Sequence, residues 1–270
     1  MADLRKIVKA FLPPVLLELI RKPSPYGFFG NYRTWSEALA DATGYDAPII
    51  LERVRLAARK VKSGEVAFER DGMVFKKPQY TWPVLAFLLW VASRNQQRLS
   101  ILDFGGSLGS SYFQHRHFLE HLVSLRWNIV EQPQFVGVGK QEFEDGRLKF
   151  YNDLEQCVSE QKPQIILLSS VLPYLEKPYE LLERLSRLPI PYAILDRTPF
   201  LFTDGQDRLT VQKVKPEIYP ASYPAWFFSR SKFLDFVVER YNILAEFDCP
   251  DRANIPASYK GLILEKRAQP

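Results

Sequence analysis

The chain has 270 residues, 46% of them hydrophobic and 25% charged, enough to bury one substantial core. Its net charge of +5 comes from 36 basic and 31 acidic residues that are interspersed rather than gathered into stripes, which argues against a nucleic-acid partner. Cys157 and Cys249 stand far apart with no C-x-x-C spacing, so neither a disulfide framework nor a zinc site is expected, and a reducing cytoplasm suits the chain.

Residues 1–30 read as an amphipathic segment and a linker. The apolar run at 11–20 is broken by Pro13, Pro14 and Glu18 and falls short of the roughly 20 residues that span a bilayer. No small-residue cleavage site follows it, so a signal peptide is not expected. Lys6, Lys9, Arg21 and Lys22 flank Leu4, Ile7, Val8, Leu12, Leu16, Leu17 and Ile20. That combination suits peripheral contact of residues 1–22 with an anionic membrane, or a helix packed on its own domain or on a second subunit. Residues 23–30, rich in Pro and Gly, read as the linker.

Residues 31–96 read as a helical cap. Thr34 with Glu37 three residues on is a capping box that opens a helix to about residue 43. Pro48 starts a second helix through about residue 62. Its cluster of Arg53, Arg55, Arg59, Lys60 and Lys62 reads as a solvated face. Residues 79–95 hold a third helix with Pro83 in the first turn.

From residue 97 to 270 short apolar runs alternate with helical stretches. Strands are expected at 99–104, 127–131, 148–151, 165–169 and 192–196, and helices at 110–123, 134–143, 154–160 and 178–188. Such alternation predicts a parallel sheet with helices on both faces. A helix at 231–241 and strands at 243–247 and 261–265 would close an antiparallel hairpin at the sheet edge. The stretch 200–228 is long for a loop and reads as an acceptor-binding insertion or as an extra edge strand and cover.

The strongest local feature is Ser100-Ile-Leu-Asp-Phe-Gly-Gly-Ser-Leu-Gly-Ser110. In open parallel sheets ligands sit beyond the carboxyl ends of the strands, and glycines there let backbone approach closely. Asp103 closes the strand before the glycines, and Glu131 closes the next strand, where a carboxylate can accept hydrogen bonds from ribose hydroxyls. The bland readings are a tight strand-to-helix turn and a surface carboxylate. The loop does not spell the G-x-G-x-x-G of a nicotinamide site.

This loop resembles the first motif of class I S-adenosylmethionine-dependent methyltransferases, an acid followed by G-x-G-x-G. Gly105 and Gly109 match its outer glycines, and Ser107 stands where the middle one would be. Ser169-Ser-Val-Leu-Pro-Tyr-Leu175 looks like the region after the fourth strand of small-molecule methyltransferases. It is not the D/N-P-P-Y motif of enzymes that methylate nucleic-acid bases. Residues 30–265 also resemble a bacterial family assigned as methyltransferases and often found with surface-polysaccharide genes. Shared patterns include Tyr45-Asp46-Ala47-Pro48, Val130-Glu131-Gln132-Pro133 and Asp196-Arg197-Thr198-Pro199-Phe200.

The resemblance implies a Rossmann-like, seven-stranded sheet, mostly parallel with a C-terminal antiparallel hairpin. It also implies S-adenosylmethionine held by Asp103, Gly105, Gly106, Ser107, Leu108, Gly109, Glu131, Gln132, Asn152, Asp153, Ser169 and Ser170. For Asp153 a helix N-cap is the competing role. The expected activity is O-methylation of a small acceptor, a sugar or glycan precursor such as a nucleotide-sugar or a lipid-linked glycan. A catalytically inactive scaffold of the same fold and an NAD(P)-dependent oxidoreductase are the rival readings. Asp196 is the expected base or substrate anchor, with His115 a second base candidate and Tyr174 beside them. Tyr80, Tyr112, Arg197 and Tyr223 are expected around the acceptor. His117 and His121 share an i, i+4 spacing without the acidic residue order of a zincin, so no metal is expected.

Overall fold

The computed structural model describes residues 24–44 and 48–267. The amphipathic segment 1–22 and the Tyr45-Asp46-Ala47 pattern lie outside these residues. No helix among the described residues is long and apolar enough to cross a membrane.

The described residues open with β1 (Gly27–Tyr32), α1 (Trp35–Ala40) and α2 (Pro48–Lys62). A hairpin of β2 (Phe68–Arg70) and β3 (Met73–Phe75) precedes α3 (Trp82–Arg94). The alternating region follows: β4 (Arg98–Phe104), α4 (Ser110–Leu119), β5 (Ser124–Val130), α5 (Pro133–Glu142), β6 (Leu148–Tyr151) and α6 (Leu154–Gln161). Next come β7 (Ile165–Ser169), a short 3₁₀ turn (Leu172–Tyr174), α7 (Pro178–Arg187) and β8 (Tyr192–Leu201). The chain closes with β9 (Arg208–Lys213), β10 (Ser222–Phe227), α8 (Arg230–Val238), β11 (Tyr241–Asp248) and β12 (Ala257–Lys266).

The expected seven-stranded sheet is present, in the order β11-β12-β8-β7-β4-β5-β6. The strands from β8 to β6 run parallel, and β12 lies antiparallel between β8 and β11. Side chains alternate between two covered faces. Ile165 and Leu167 of β7 join the core on one face, Ile166 and Leu168 the core on the other. A strand covered on both faces needs an unbroken apolar run, and each such side chain contributes roughly 1.5–3 kcal/mol on burial.

The cap departs from expectation in two places. The segment read as linker contains the start of β1, which pairs antiparallel with β9, and β10 completes a second, three-stranded sheet. The boundary expected at residue 30 therefore falls inside a strand, and the insertion at 200–228 supplies that strand's partner. The helical cap also holds the β2–β3 hairpin. Its turn is Asp71-Gly72 with φ of 51° and 75°, the pair of left-handed residues that a two-residue hairpin turn demands.

The helices follow their apolar spacing. α2 buries Ile50, Val54, Ala57, Ala58 and Val61 along one side. Its basic face is not simply solvated, because Arg55, Arg59 and Lys62 converge on Glu142 at the end of α5. Arg59 and Arg55 hold the Glu142 carboxyl down at about 2. Half of the Thr34 capping box forms: Thr34 Oγ1 accepts from Glu37 N–H, while the Glu37 carboxylate accepts from the N–H of Arg33, one residue before the cap. α4 ends at Leu119, short of the expected residue 123, so His121 lies off the helix that carries His117. His117 stacks on Tyr80 and Phe118 instead, and the described residues contain no cluster of metal-ligating side chains.

Candidate active site

The C-terminal ends of the parallel strands open into a cleft with two lobes that share Gly105, Ser107, Phe135, Ser170 and Tyr174. The first lobe, of about 250 Å³, lies over β4, β7 and β8 under the cap. The second, of about 470 Å³, lies over β5 and β6. A site beyond the carboxyl ends, on either side of the first parallel strand, is where this topology places ligands.

The turn after β4 is built for close approach. Gly105 has φ +70°, and a Cβ there would sit 2.4 Å from Val171 Cγ2. A Cβ on Gly106 would sit 2.6 Å from the Asp103 carboxyl carbon. Ser107 takes φ 54°, a left-handed conformation that glycine adopts with less strain. Leu108 and Gly109 face away from both lobes. Leu108 is fully buried in the core, and Gly109 packs near Leu148 and Phe113.

Asp103 is buried, and one of its oxygens accepts from Trp127 Nε1 at 2.8 Å. Burial pushes its carboxyl up to about 7, against the pull of the Trp127 bond and helped by the nearby Glu131 charge. Glu131 follows β5 into the second lobe, accepting from the Gln132 N–H at 3.1 Å. Burial raises its carboxyl as well, while the backbone N–H groups of Gln132 and Ser107 favour the charged form. Gln132, Asn152 and Asp153 complete this lobe's polar wall. Asp153 also caps α6, accepting from Gln156 N–H at 2.7 Å, so both of its expected roles are compatible.

On the other side, β8 runs beyond the expected residue 196 and bulges at Asp196 and Arg197, where its register with β12 shifts. Asp196 is buried and accepts from Ser169 Oγ at 2.7 Å and from Cys249 Sγ at 3.5 Å. Burial raises its carboxyl against those bonds and the Arg197 charge. Arg197, with φ 59°, grips Asp251 through Nε at 3.2 Å and Nη2 at 3.1 Å. His115 lines the same lobe with Nδ1 2.9 Å from Ser111 O, and burial holds its imidazole down at about 4, hence neutral at pH 7. Tyr174 donates to Gln212 Oε1 at 2.8 Å and meets Tyr223 edge-to-face at 5.3 Å.

Two expected acceptor residues are elsewhere. Tyr80 precedes α3 and packs outside the cleft against Trp82, His117 and Phe118. Tyr112 sits on the core side of α4, its hydroxyl donating to Asp145 at 3.3 Å and its ring against Trp127.

The structure adds groups that sequence reasoning missed. Glu69 on β2 is buried in the first lobe, accepting from Ser110 Oγ and from Gly72 N–H. Burial pushes its carboxyl up to about 7 despite those bonds. Arg70, Gln212, Tyr219, Asp251 and Arg252 line the same lobe. The Asp71-Gly72 pair between Phe68 and Phe75 was a readable hairpin signal for Glu69 and Arg70. The others come from segments with no local signature. Four of the seven non-glycine residues with positive φ among the described residues, Asp71, Ser107, Ser170 and Arg197, line this cleft. Backbone strain of this kind concentrates where geometry is functional.

No family model and no curated protein matches the sequence. Among solved structures, the chain is similar to the N-terminal domain of EvdMO1 determined in the presence of S-adenosylhomocysteine (SAH) and D-fucose. The TM-score is 0.50 at 16% identity, covering 79% of this chain and 97% of that one. A magnesium protoporphyrin IX methyltransferase (ChlM) from Synechocystis PCC 6803 with bound SAH aligns at TM-score 0.45 and 13% identity, over 69% of this chain and 82% of that one. The fold is the Rossmann-like one of class I methyltransferases.

Proposed function

We propose that the protein is an S-adenosylmethionine-dependent methyltransferase that methylates a hydroxyl of a small polar acceptor, a sugar or glycan precursor. The observation that carries this reading is the division of the cleft. Its second lobe ends on Glu131, a carboxylate suited to two ribose hydroxyls, with Asn152 and Asp153 beside it. The shared waist is a turn where Cβ atoms at Gly105 and Gly106 would collide with Val171 and Asp103. The first lobe presents carboxyls, guanidinium groups and tyrosines, which suit a polyhydroxylated molecule better than an apolar one. The similar EvdMO1 domain, determined with SAH and D-fucose present, is in keeping with both parts.

S-adenosylmethionine, when bound, supplies an electrophilic methyl on a sulfonium. The chain's own work is to align the acceptor and to take its proton. Glu69 suits the second task, because burial raises its carboxyl to about 7 and it sits on the cap side of the first lobe. Asp196, in the same lobe, has Ser169 and Cys249 on its two oxygens, which tie the bulge it shares with Arg197 to the end of β7 and to the β11–β12 connection. Tyr174 and Tyr223 form the wall on which an acceptor ring can rest.

Calorimetric titration with S-adenosylmethionine and SAH tests the cofactor. Micromolar binding is expected for the wild type, and Glu131→Ala should weaken it by about tenfold or more, the worth of hydrogen bonds to a charged group. Folded wild-type protein that binds neither compound would end the methyltransferase reading.

A further inference from the structure

Two guanidinium groups meet one carboxylate at the cap end of the first lobe. Arg197, from the bulge of β8, makes the two-pronged contact with Asp251. Arg70, from β2, is left with weaker contacts: Nη1 lies 3.5 Å from Asp251 Oδ1 and Nη2 lies 3.3 Å from Gln79 Oε1. Its Nε is buried and has no hydrogen-bond partner among the described residues. A buried donor without an acceptor is destabilising, more so on a charged group, and calls for an explanation.

The electrostatics of the two arginines diverge in the same sense. Burial acts against both charges. For Arg197 the carboxylates of Asp251, Asp71 and Asp196 outweigh it and the pKa rises. For Arg70 burial and the neighbouring Arg197 prevail over the same carboxylates and the pKa falls. Arg70 thus keeps a positive charge that its surroundings under-compensate. Arg252, exposed, lines the same lobe and adds a third cation at the rim.

The placement of Arg70 separates this cluster from the Glu131 end of the cleft. Its hydrogen-bond partners belong to the β11–β12 connection and to the segment before α3, not to β5 or β6. We propose that the first lobe is an anion-binding subsite in which the acceptor's carboxylate or phosphate docks against the incompletely paired guanidinium of Arg70, flanked by Arg197 and Arg252. Calling the ligand the acceptor rests on the methyl-transfer reading; the anion site itself does not. The acceptor class narrows to acidic sugars and sugar phosphates, including nucleotide-sugars.

The test uses full-length protein with inorganic phosphate and acetate as probes, at constant ionic strength set with chloride. Thermal unfolding is followed with and without saturating SAH. A ligand that binds only the folded state raises Tm by mass action. Phosphate or acetate should raise the Tm of wild type in both conditions, and the more effective of the two names the group. Arg70→Gln should abolish that rise while leaving SAH affinity unchanged, which also reports that the variant is folded, and Arg70→Lys should retain part of it. Phosphate and acetate without effect on wild type, or with equal effect on Arg70→Gln, would overturn the proposal. So would cancellation of the rise by SAH together with weakened SAH binding in Arg70→Gln, since Arg70 would then hold the cofactor's own carboxylate. An Arg70-dependent rise in protein that binds no SAH would uphold the anion site and remove the methyltransferase reading alone.

Discussion

The floor of the cleft is made of strand ends that neighbour one another in a regular sheet, whereas its roof is gathered from segments far apart in the chain. On the floor, backbone pairing does the positioning: Gly105 N–H donates to Val130 O at 2.9 Å and Ser170 N–H to Asp196 O at 2.9 Å. On the roof, side chains position one another across segments: Glu69 takes the Ser110 hydroxyl, Arg70 reaches Asp251, and Gln212 accepts from Tyr174. Positions fixed by a sheet are costly to move. Positions fixed by pairs of side chains can be exchanged without disturbing the fold, and functional specificity tends to reside there. The floor therefore suits a reactant common to many enzymes, and the roof one peculiar to this protein.

The largest expected effect falls on the roof. If Glu69 takes the acceptor's proton, it must be ionised, so the rate with any acceptor that turns over should fall as pH drops below about 7. Glu69→Gln should lower kcat by about 100-fold or more and remove that acidic limb, with cofactor affinity unchanged. A limb that survives in Glu69→Gln and vanishes in Asp196→Asn would move the base from roof to floor.

A smaller effect compares the two halves through stability. Asp103 on the floor and Glu69 on the roof both have carboxyls raised by burial, from 3.8 and 4.5 respectively to about 7. Each is neutral in the folded protein at pH values where the unfolded chain has already lost the proton. The stability they contribute is therefore complete below the unfolded values and is lost as pH rises toward about 7. Tm should decline over that window. Asp103→Asn and Glu69→Gln should each flatten part of the decline, and additively, because the two carboxyls are not in contact. A slope unchanged in Asp103→Asn would show that the floor carboxyl is ionised within the folded protein.

This contrast also explains what was legible in the sequence. The parallel strands announce themselves because burial on both faces demands runs such as Ile165-Ile166-Leu167-Leu168, and Asp103 and Glu131 then fall at strand ends by position alone. The hairpin β2–β3 carried a signal in Asp71-Gly72, but its strands are too short for alternation to stand out. β1 was obscured by the prolines and glycines around it, and its partner β9 lies far along the chain. Asp251 and Arg252 occupy an irregular connection, where no periodicity exists to read. Tyr80 and Tyr112 pack against other aromatic rings, as residues beside a motif are as ready to do as to bind.

The smallest effect concerns Ser107, the residue standing where the methyltransferase motif that this loop resembles has its middle glycine. Its φ of 54° is unfavourable for a residue with a side chain by about 1–2 kcal/mol relative to glycine. Ser107→Gly relieves that strain but frees the unfolded chain, a loss of about 0.4–1 kcal/mol. The net gain is at most about 1.6 kcal/mol, so Tm should rise by no more than about 6 °C. The backbone N–H that faces Glu131 is retained in the variant, so cofactor affinity should hold if the loop's path alone matters. A tenfold weakening, about 1.4 kcal/mol, would mean that the serine hydroxyl itself holds the ligand. The floor would then contain one contact peculiar to this protein, and the contrast between a general floor and a specific roof would narrow at that position.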